Sequence, residues 1–377
     1  MIVIKNKKNC CGCSACANVC PQKCIILVED NEGFVYPQID KEKCINCGAC
    51  TNVCPIINAT KDDGAKPKSY GAFSLNEEVL KNSSSGGVFY HLATYVMQKL
   101  NGVIYGACYV DNRTKHIRID KVEDLRKLQT SKYIQSDMSD SFACAKKDLT
   151  DGRYVLFSGT PCQIEGLKHY LRKDYEKLFC IDIICHGVPS SKLWQKYLDF
   201  CEQNTNAEVN FRDKQNGWLN YGVRIGKQVR AFKNDLFMQS FLRDYNLRPS
   251  CYDCKFKKIH RVSDITLGDF WGGDNVSKTI FNKNGTSLVL IQSNKGAKLF
   301  DGICDEIKTE KVDFNASIKY NVSYFTSSIK PIGRNKFFKK ADILPFDNLV
   351  AQYCKVKLID RVFRKVKNII KCKQKLK

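Results

Sequence analysis

One cysteine pattern occurs twice near the start of the chain and constrains it more than anything else. The first run is Cys10-x2-Cys13-x2-Cys16-x3-Cys20-Pro21, and the second is Cys44-x2-Cys47-x2-Cys50-x3-Cys54-Pro55. Three cysteines on a tight turn reach three irons of one 4Fe–4S cube, and the fourth cysteine of each run points to the other cube. The spacing therefore assigns Cys10, Cys13, Cys16 and Cys54 to cluster one, and Cys44, Cys47, Cys50 and Cys20 to cluster two. Pro21 and Pro55 close each run and stop it from continuing as helix. Zinc is the alternative for any single C-x2-C pair. Its tetrahedral site calls for four thiolates, whereas eight stand here in register. Cys11 and Cys24 lack counterparts in the other repeat, where Ile45 and Asn58 stand, and read as bystanders.

This is the arrangement of a bacterial-type ferredoxin, expected over residues 1–58. The 377 residues leave more than three hundred for other domains. The 21 cysteines do not make a secreted disulfide scaffold, because the chain is long and its opening Met1–Lys5 is too short for an apolar signal core. No apolar run approaches the length of a membrane span. Iron–sulfur ligation points to a reducing cytoplasm.

The formal charge is +22, from 61 Lys and Arg against 39 Asp and Glu. Anionic clusters offset part of it. Residues 355–377 hold ten basic residues and one acidic, with Val356, Ile359, Val362, Phe363, Val366, Ile369 and Ile370 at helical spacing. That tail reads as a helix packed on the core, a dock for an acidic partner, or a peripheral contact with an anionic membrane. No nucleic-acid motif accompanies the charge. A small acidic electron carrier such as ferredoxin is the partner that fits.

Polar residues 59–69 read as a linker. Strand and helix signals then alternate: strand 70–75, helix 88–100, strands 103–110 and 154–157, helix 163–171, strand 179–184 and helix 191–202. Short strands follow over 209–232, then a helix over 235–245 and strands at 265–267 and 288–292. The fold class is α+β or α/β, with some parallel pairing.

Two features in this larger part carry chemistry. Ser83-Ser84-Ser85-Gly86-Gly87 opens a helix, an arrangement that suits a phosphate and equally suits a plain N-cap. Cys162, Cys185, Cys251 and Cys254 form a second constellation. The first two follow strands, at the position where α/β folds place their sites. Four thiolates there would hold a cube or a zinc, or the first two cysteines are inert core residues. His186 is a candidate proton donor or a structural histidine.

Five ordered segments carry a family resemblance: Ser83–Phe89, Phe157–Gln163, Ile184–Ser190, Arg248–Cys254 and Ser263–Gly272. Together they resemble the coenzyme F-420 hydrogenase/dehydrogenase beta-subunit family over roughly residues 70–335, in parts 70–152 and 153–335, with 336–377 as a basic tail. The resemblance implies a flavin-binding core holding FAD at Ser84, Ser85, Gly86 and Gly87, and a third 4Fe–4S cluster on Cys162, Cys185, Cys251 and Cys254. It also places Lys132, in Ser131-Lys132-Tyr133, near the flavin, where its charge would stabilise the reduced anion. The implied activity is an iron–sulfur flavin-dependent oxidoreductase that passes a hydride equivalent to or from an organic substrate or a deazaflavin coenzyme. Two other readings are a non-catalytic electron-transfer subunit of a larger hydrogenase or dehydrogenase complex and a redox-sensing iron–sulfur protein.

Overall fold

The structure, a computed structural model, describes residues 1–202 and 207–354. The basic helix expected over 355–377 lies outside them. Near the N-terminus, strands β1 (Ile25–Glu29) and β2 (Val35–Ile39) form an antiparallel hairpin between the two cysteine runs. Next come β3 (Lys68–Ser74), β4 (Val103–Val110), β5 (Arg113–Ile119), β6 (Ser136–Asp137), β7 (Val155–Gly159) and β8 (Leu178–Ile183). A small antiparallel sheet comprises β9 (Val209–Asp213), β10 (Gly222–Ile225) and β11 (Gln228–Ala231). The chain then supplies β12 (Ile265–Asp269), β13 (Ser287–Ile291) and β14 (Ile307–Val312).

One nine-stranded mixed sheet, ordered β14-β3-β13-β12-β8-β7-β4-β5-β6, organises the larger part. Its centre, β12-β8-β7-β4, is parallel, while the pairs β12–β13, β13–β3 and β3–β14 beside it are each antiparallel. Alternation along the central strands covers both faces, as a two-residue period requires. Ile104, Leu156, Ile181 and Ile265 pack with Leu92 and Val96 of the helix Val88–Leu100. Val103, Tyr105, Val155, Phe157 and Leu178 face the other way, onto Phe142, Ile164 and Leu167 of the helices Ser141–Thr150 and Pro161–Leu171. A third core joins the small sheet to helical segments through Trp194, Tyr197, Phe211, Phe237 and Phe241.

The N-terminal module is fastened to both of these cores. Phe34 is fully buried in the third one, and Cys13, Ala15 and Val53 are buried against Phe142 and Leu167. The segment read as a linker is also tied down. The Thr60 N–H donates to Glu165 Oε1 at 2.7 Å, and Asp62 accepts the N–H groups of Ile259 and His260 at 2.7 and 3.1 Å. Strand β3 begins at Lys68, inside the expected linker. A second correction concerns 336–354, assigned above to the tail. The helices Arg334–Ala341 and Phe346–Tyr353 bury Phe337, Phe338, Phe346, Leu349 and Val350 in the third core. The net basic charge of this stretch hid its apolar stripe.

Arg334 closes the seam between module and core, placing its two terminal nitrogens 3.0 and 2.7 Å from the Glu32 carboxylate. Arg334 is buried, and removing one partner of such a pair strands the other. Arg334→Met should therefore cost about 3–5 kcal/mol, and Glu32→Gln less, because Glu32 keeps some solvent contact. Urea unfolding of the two variants checks the order.

Candidate redox centres and cofactor cavity

The thiols assigned to the first cluster lie near one another. Cys10, Cys16 and Cys54 lie within electrostatic reach of one another, and Cys13 lies within reach of Cys16. Cys20, Cys44, Cys47 and Cys50 line one small cavity at the outer end of the module. Cys47 is exposed there, and a Cβ at neighbouring Gly48 would meet nothing within 4 Å. The second set of thiols is therefore the outer one and the first is the inner one. The two cysteines read as bystanders are not isolated. Cys24 Sγ is 3.4 Å from Cys20 Sγ, and the Cys11 thiol contacts those of Cys13 and Cys162.

Cys162, Cys185, Cys251 and Cys254 come together from three places in the chain. Cys162 sits on the first turn of the helix that follows β7. Thr160 caps that helix, Pro161 occupies its first position, and the Thr160 N–H donates to Gln163 Oε1 at 2.9 Å to complete a capping box. Cys185 follows β8. Cys251 belongs to the 3-10 turn Pro249–Asp253, which is held by the Arg248 N–H donating to Val188 O at 2.9 Å and by a bridge between Pro189 and Leu247. These pairings carry the 249–254 turn to the end of β8. Electrostatic reach then links Cys251 with Cys185, Cys254 and Cys162.

Among the described residues, no three Cys, His, Asp or Glu side chains converge on a single metal ion. The donor set is instead four spaced soft thiols, which suits the larger iron–sulfur cube. Burial pushes the Cys185 thiol up to about 12. A thiolate at that depth needs cations, and iron would supply them beside Lys257, whose ammonium donates to Cys185 O.

A cavity of about 510 Å³ opens at the carboxyl ends of β7, β8 and β12, within the roughly 300–1,000 Å³ of cofactor sites. Cys11, Cys162, Cys185 and His186 line one side, and Ser84, Ser85, Gly87 and Lys132 line another. Among the described residues, and leaving aside His186 Nε2 beside Asp244, three buried polar atoms of lining residues have no hydrogen-bond partner: Thr114 Oγ1, Arg212 Nε and Asn321 Nδ2. Such atoms are where a polar ligand fits. Lys132 donates to Gln129 O, and burial pushes it down to about 7. His186 Nε2 lies 2.7 Å from Asp244 Oδ1. His116 contacts Ser136 Oγ at 2.6 Å and Ser158 O at 2.9 Å, and burial pushes it down to about 4, so it is neutral.

The serine–glycine turn divides its labour. Gly86 is absent from the cavity lining and donates its N–H to Ser287 Oγ at 2.9 Å. A Cβ on Gly86 would sit 2.3 Å from Ala72 O, so its smallness serves the close approach of turn to sheet. Ser84 Oγ accepts the Ser131 N–H at 2.8 Å, and Ser85 Oγ donates to Thr286 O at 2.7 Å. Gly87 faces the cavity with φ +82° and precedes a helix that no side chain caps. Arg212 pairs with Asp269 at 2.8 and 3.0 Å and donates to Ser84 O at 3.2 Å, bracing the turn. Sequence reading missed Arg212, Thr114, Asn321 and Arg248. Only Arg248, inside a segment already singled out, carried a usable signal.

A double-cysteine module set on a mixed α/β core defines an iron–sulfur redox protein. Residues 9–57 and the overlapping stretch 36–83 each match a family model described as a 4Fe-4S dicluster domain. Residues 152–316 match the model for the C-terminal part of the coenzyme F420 hydrogenase/dehydrogenase beta subunit. The chain thus joins a 4Fe–4S dicluster domain to the C-terminal domain of that beta-subunit family. No curated protein matches it. A solved chain from the F420-reducing [NiFe] hydrogenase complex of Methanosarcina barkeri aligns at 18% identity and a TM-score of 0.49, covering 78% of this chain and 94% of that one. Among the described residues, no helix is long and apolar enough to cross a membrane.

Proposed function

We propose that this chain is a cytoplasmic iron–sulfur flavoprotein oxidoreductase. It relays electrons between its two ferredoxin-type centres and FAD through a third centre on Cys162, Cys185, Cys251 and Cys254. A hydride equivalent passes to or from an organic substrate or a deazaflavin. The observation carrying this reading is the cavity itself, lined by Cys162 and Cys185 on one side and by the Ser84–Gly87 turn and Lys132 on another. A flavin bound there would supply the exchange between one-electron and two-electron chemistry that clusters alone lack.

The residues take definite parts in it. Cys11, touching Cys13 and Cys162, spans the gap between the inner ferredoxin thiols and the third set. Lys132, when protonated, places a cation beside a reduced anion. His186, steadied by Asp244 at 2.7 Å, holds a proton at the cavity wall. The exposed edge at Cys47, rimmed by exposed Met1 and Ile45, is where a small acidic carrier would meet this basic protein.

Protein purified anaerobically should carry about one FAD per chain. Gly87→Val should lose most of it and keep its iron, since a Cβ there stands 3.1 Å from Val79 and 3.2 Å from Ser74. Iron-replete wild-type protein without flavin would end the flavoprotein reading. The description of the matched family as a beta subunit favours one alternative, an electron-transfer subunit that copurifies with a catalytic partner and alone turns over only artificial dyes.

A further inference from the structure

Among the described residues, four arginines are buried to 5% exposure or less: Arg212, Arg248, Arg261 and Arg334. Three of them pair with carboxylates, namely Asp269, Asp182 and Glu32. Arg248 is fully enclosed, and among the described residues it forms no such pair. Its Nε donates to Cys10 O at 2.8 Å, and one terminal nitrogen donates to Gln135 Oε1 at 2.9 Å. The other donates to Val35 O at 2.8 Å and stands 3.5 Å from Cys10 Sγ. Aromatic faces complete the enclosure, with Tyr36 at 4.4 Å and Phe34 at 5.6 Å from the guanidinium carbon.

A guanidinium stays charged in such a place, and an unbalanced buried charge is strongly destabilising. Carbonyls and ring faces solvate it without neutralising it. The nearest anion would be the inner cysteine-ligated centre, whose Cys10 sulfur stands 3.5 Å away, with Cys251 and Cys162 of the third set also within electrostatic reach but without a hydrogen bond to the arginine among the described residues. A cation held against a ligand sulfur favours the more negative, reduced state of the cluster, and hydrogen bonding to sulfur acts in the same direction.

We propose that Arg248 is the counter-charge of the inner ferredoxin centre, that of Cys10, Cys13, Cys16 and Cys54, and raises its reduction potential. This rests on the electron-relay reading above and deepens it. One electron leaves the outer centre, which is oxidised by one, and reduces the inner centre by one, with no bond made or broken. Arg248 holds that electron at the position nearest Cys11 and Cys162.

The test is a redox titration, followed by low-temperature paramagnetic resonance, of the full chain loaded with iron and sulfide without oxygen. Arg248→Met should keep its iron, shift the inner centre's potential to more negative values and leave the outer centre's unmoved. Arg248→Lys, which keeps the charge and loses the contact with Cys10 Sγ, should shift it less. An unchanged inner potential in iron-replete Arg248→Met would overturn the proposal, as would an equal shift of both ferredoxin centres. If Arg248→Met fails to hold iron, Arg248→Lys decides alone, and an inner potential at or above the wild-type value overturns the proposal. A wild-type protein lacking flavin or the third centre would sink the broader reading and leave this measurement intact, because it is read on the ferredoxin centres.

Discussion

Protein loaded without oxygen should hold about twelve irons, three cubes of four, and Cys162→Ser or Cys254→Ser should each lower that to about eight. Cys162 caps no other structure. Its neighbours are Thr160 Oγ1 at 3.1 Å and the Cys11 thiol, so serine fits the space and removes only the soft ligand. Flavin should stay bound in both variants, because the Ser84–Gly87 turn is braced from Thr286, Ser287 and Arg212. Reduction of the flavin by the ferredoxin centres should fall by orders of magnitude. Iron, sulfide and flavin analysis with stopped-flow reduction makes the measurement. A value near eight irons with zinc in the wild-type protein would remove the third cube, and an unchanged flavin reduction rate in both variants would remove the relay.

Lys132→Met should show the second large effect, with opposite signs for stability and for binding. Burial pushes this lysine from its ordinary 10.5 to about 7. Between those values the unfolded chain holds a proton that the native state has released, so native stability rises with pH across that window. Below pH 7 both states hold the proton and the full penalty applies, at most about 4–5 kcal/mol. In flavin-stripped, iron-loaded protein, methionine should therefore raise the thermal midpoint most below pH 7 and hardly at all near pH 10. It should also weaken flavin binding, more for the reduced form than for the oxidised. An unchanged ratio of reduced to oxidised affinity would remove Lys132 from the flavin's electrostatics.

The ferredoxin repeat was legible in the sequence because its ligands are local and their spacing is set by the geometry of one inorganic cube. Strands with apolar runs, such as Val155–Phe157 and Leu178–Ile181, were legible for the same reason of local pattern. β5 was missed because Arg113-Thr-Lys-His-Ile-Arg-Ile is mostly polar and shows no clean apolar period, and β14 because Lys308, Glu310 and Lys311 mask its pairing. β14 draws its order from β3, far away in sequence, whereas β5 pairs with the adjacent β4. Cys11 was set aside because the repeat gave it no counterpart. It meets Cys162, a contact that no local spacing encodes. Composition likewise carried no sign of the hydrogen bonds that tie the linker to Glu165, Ile259 and His260.

The strand order also implies a sequence of assembly. The ferredoxin cysteines meet within a short stretch that emerges early, so their sites close by local turns. The other four thiols hang on β7, β8 and the 249–254 turn, whose sheet is complete only when β3, near the start, has joined β13 and β14. Contacts of such separation form late. A chain interrupted before residue 307 would therefore present two finished ferredoxin sites and a third set of cysteines attached to an unfinished sheet. Iron at that third position would thus mark a chain whose folding had run to its end.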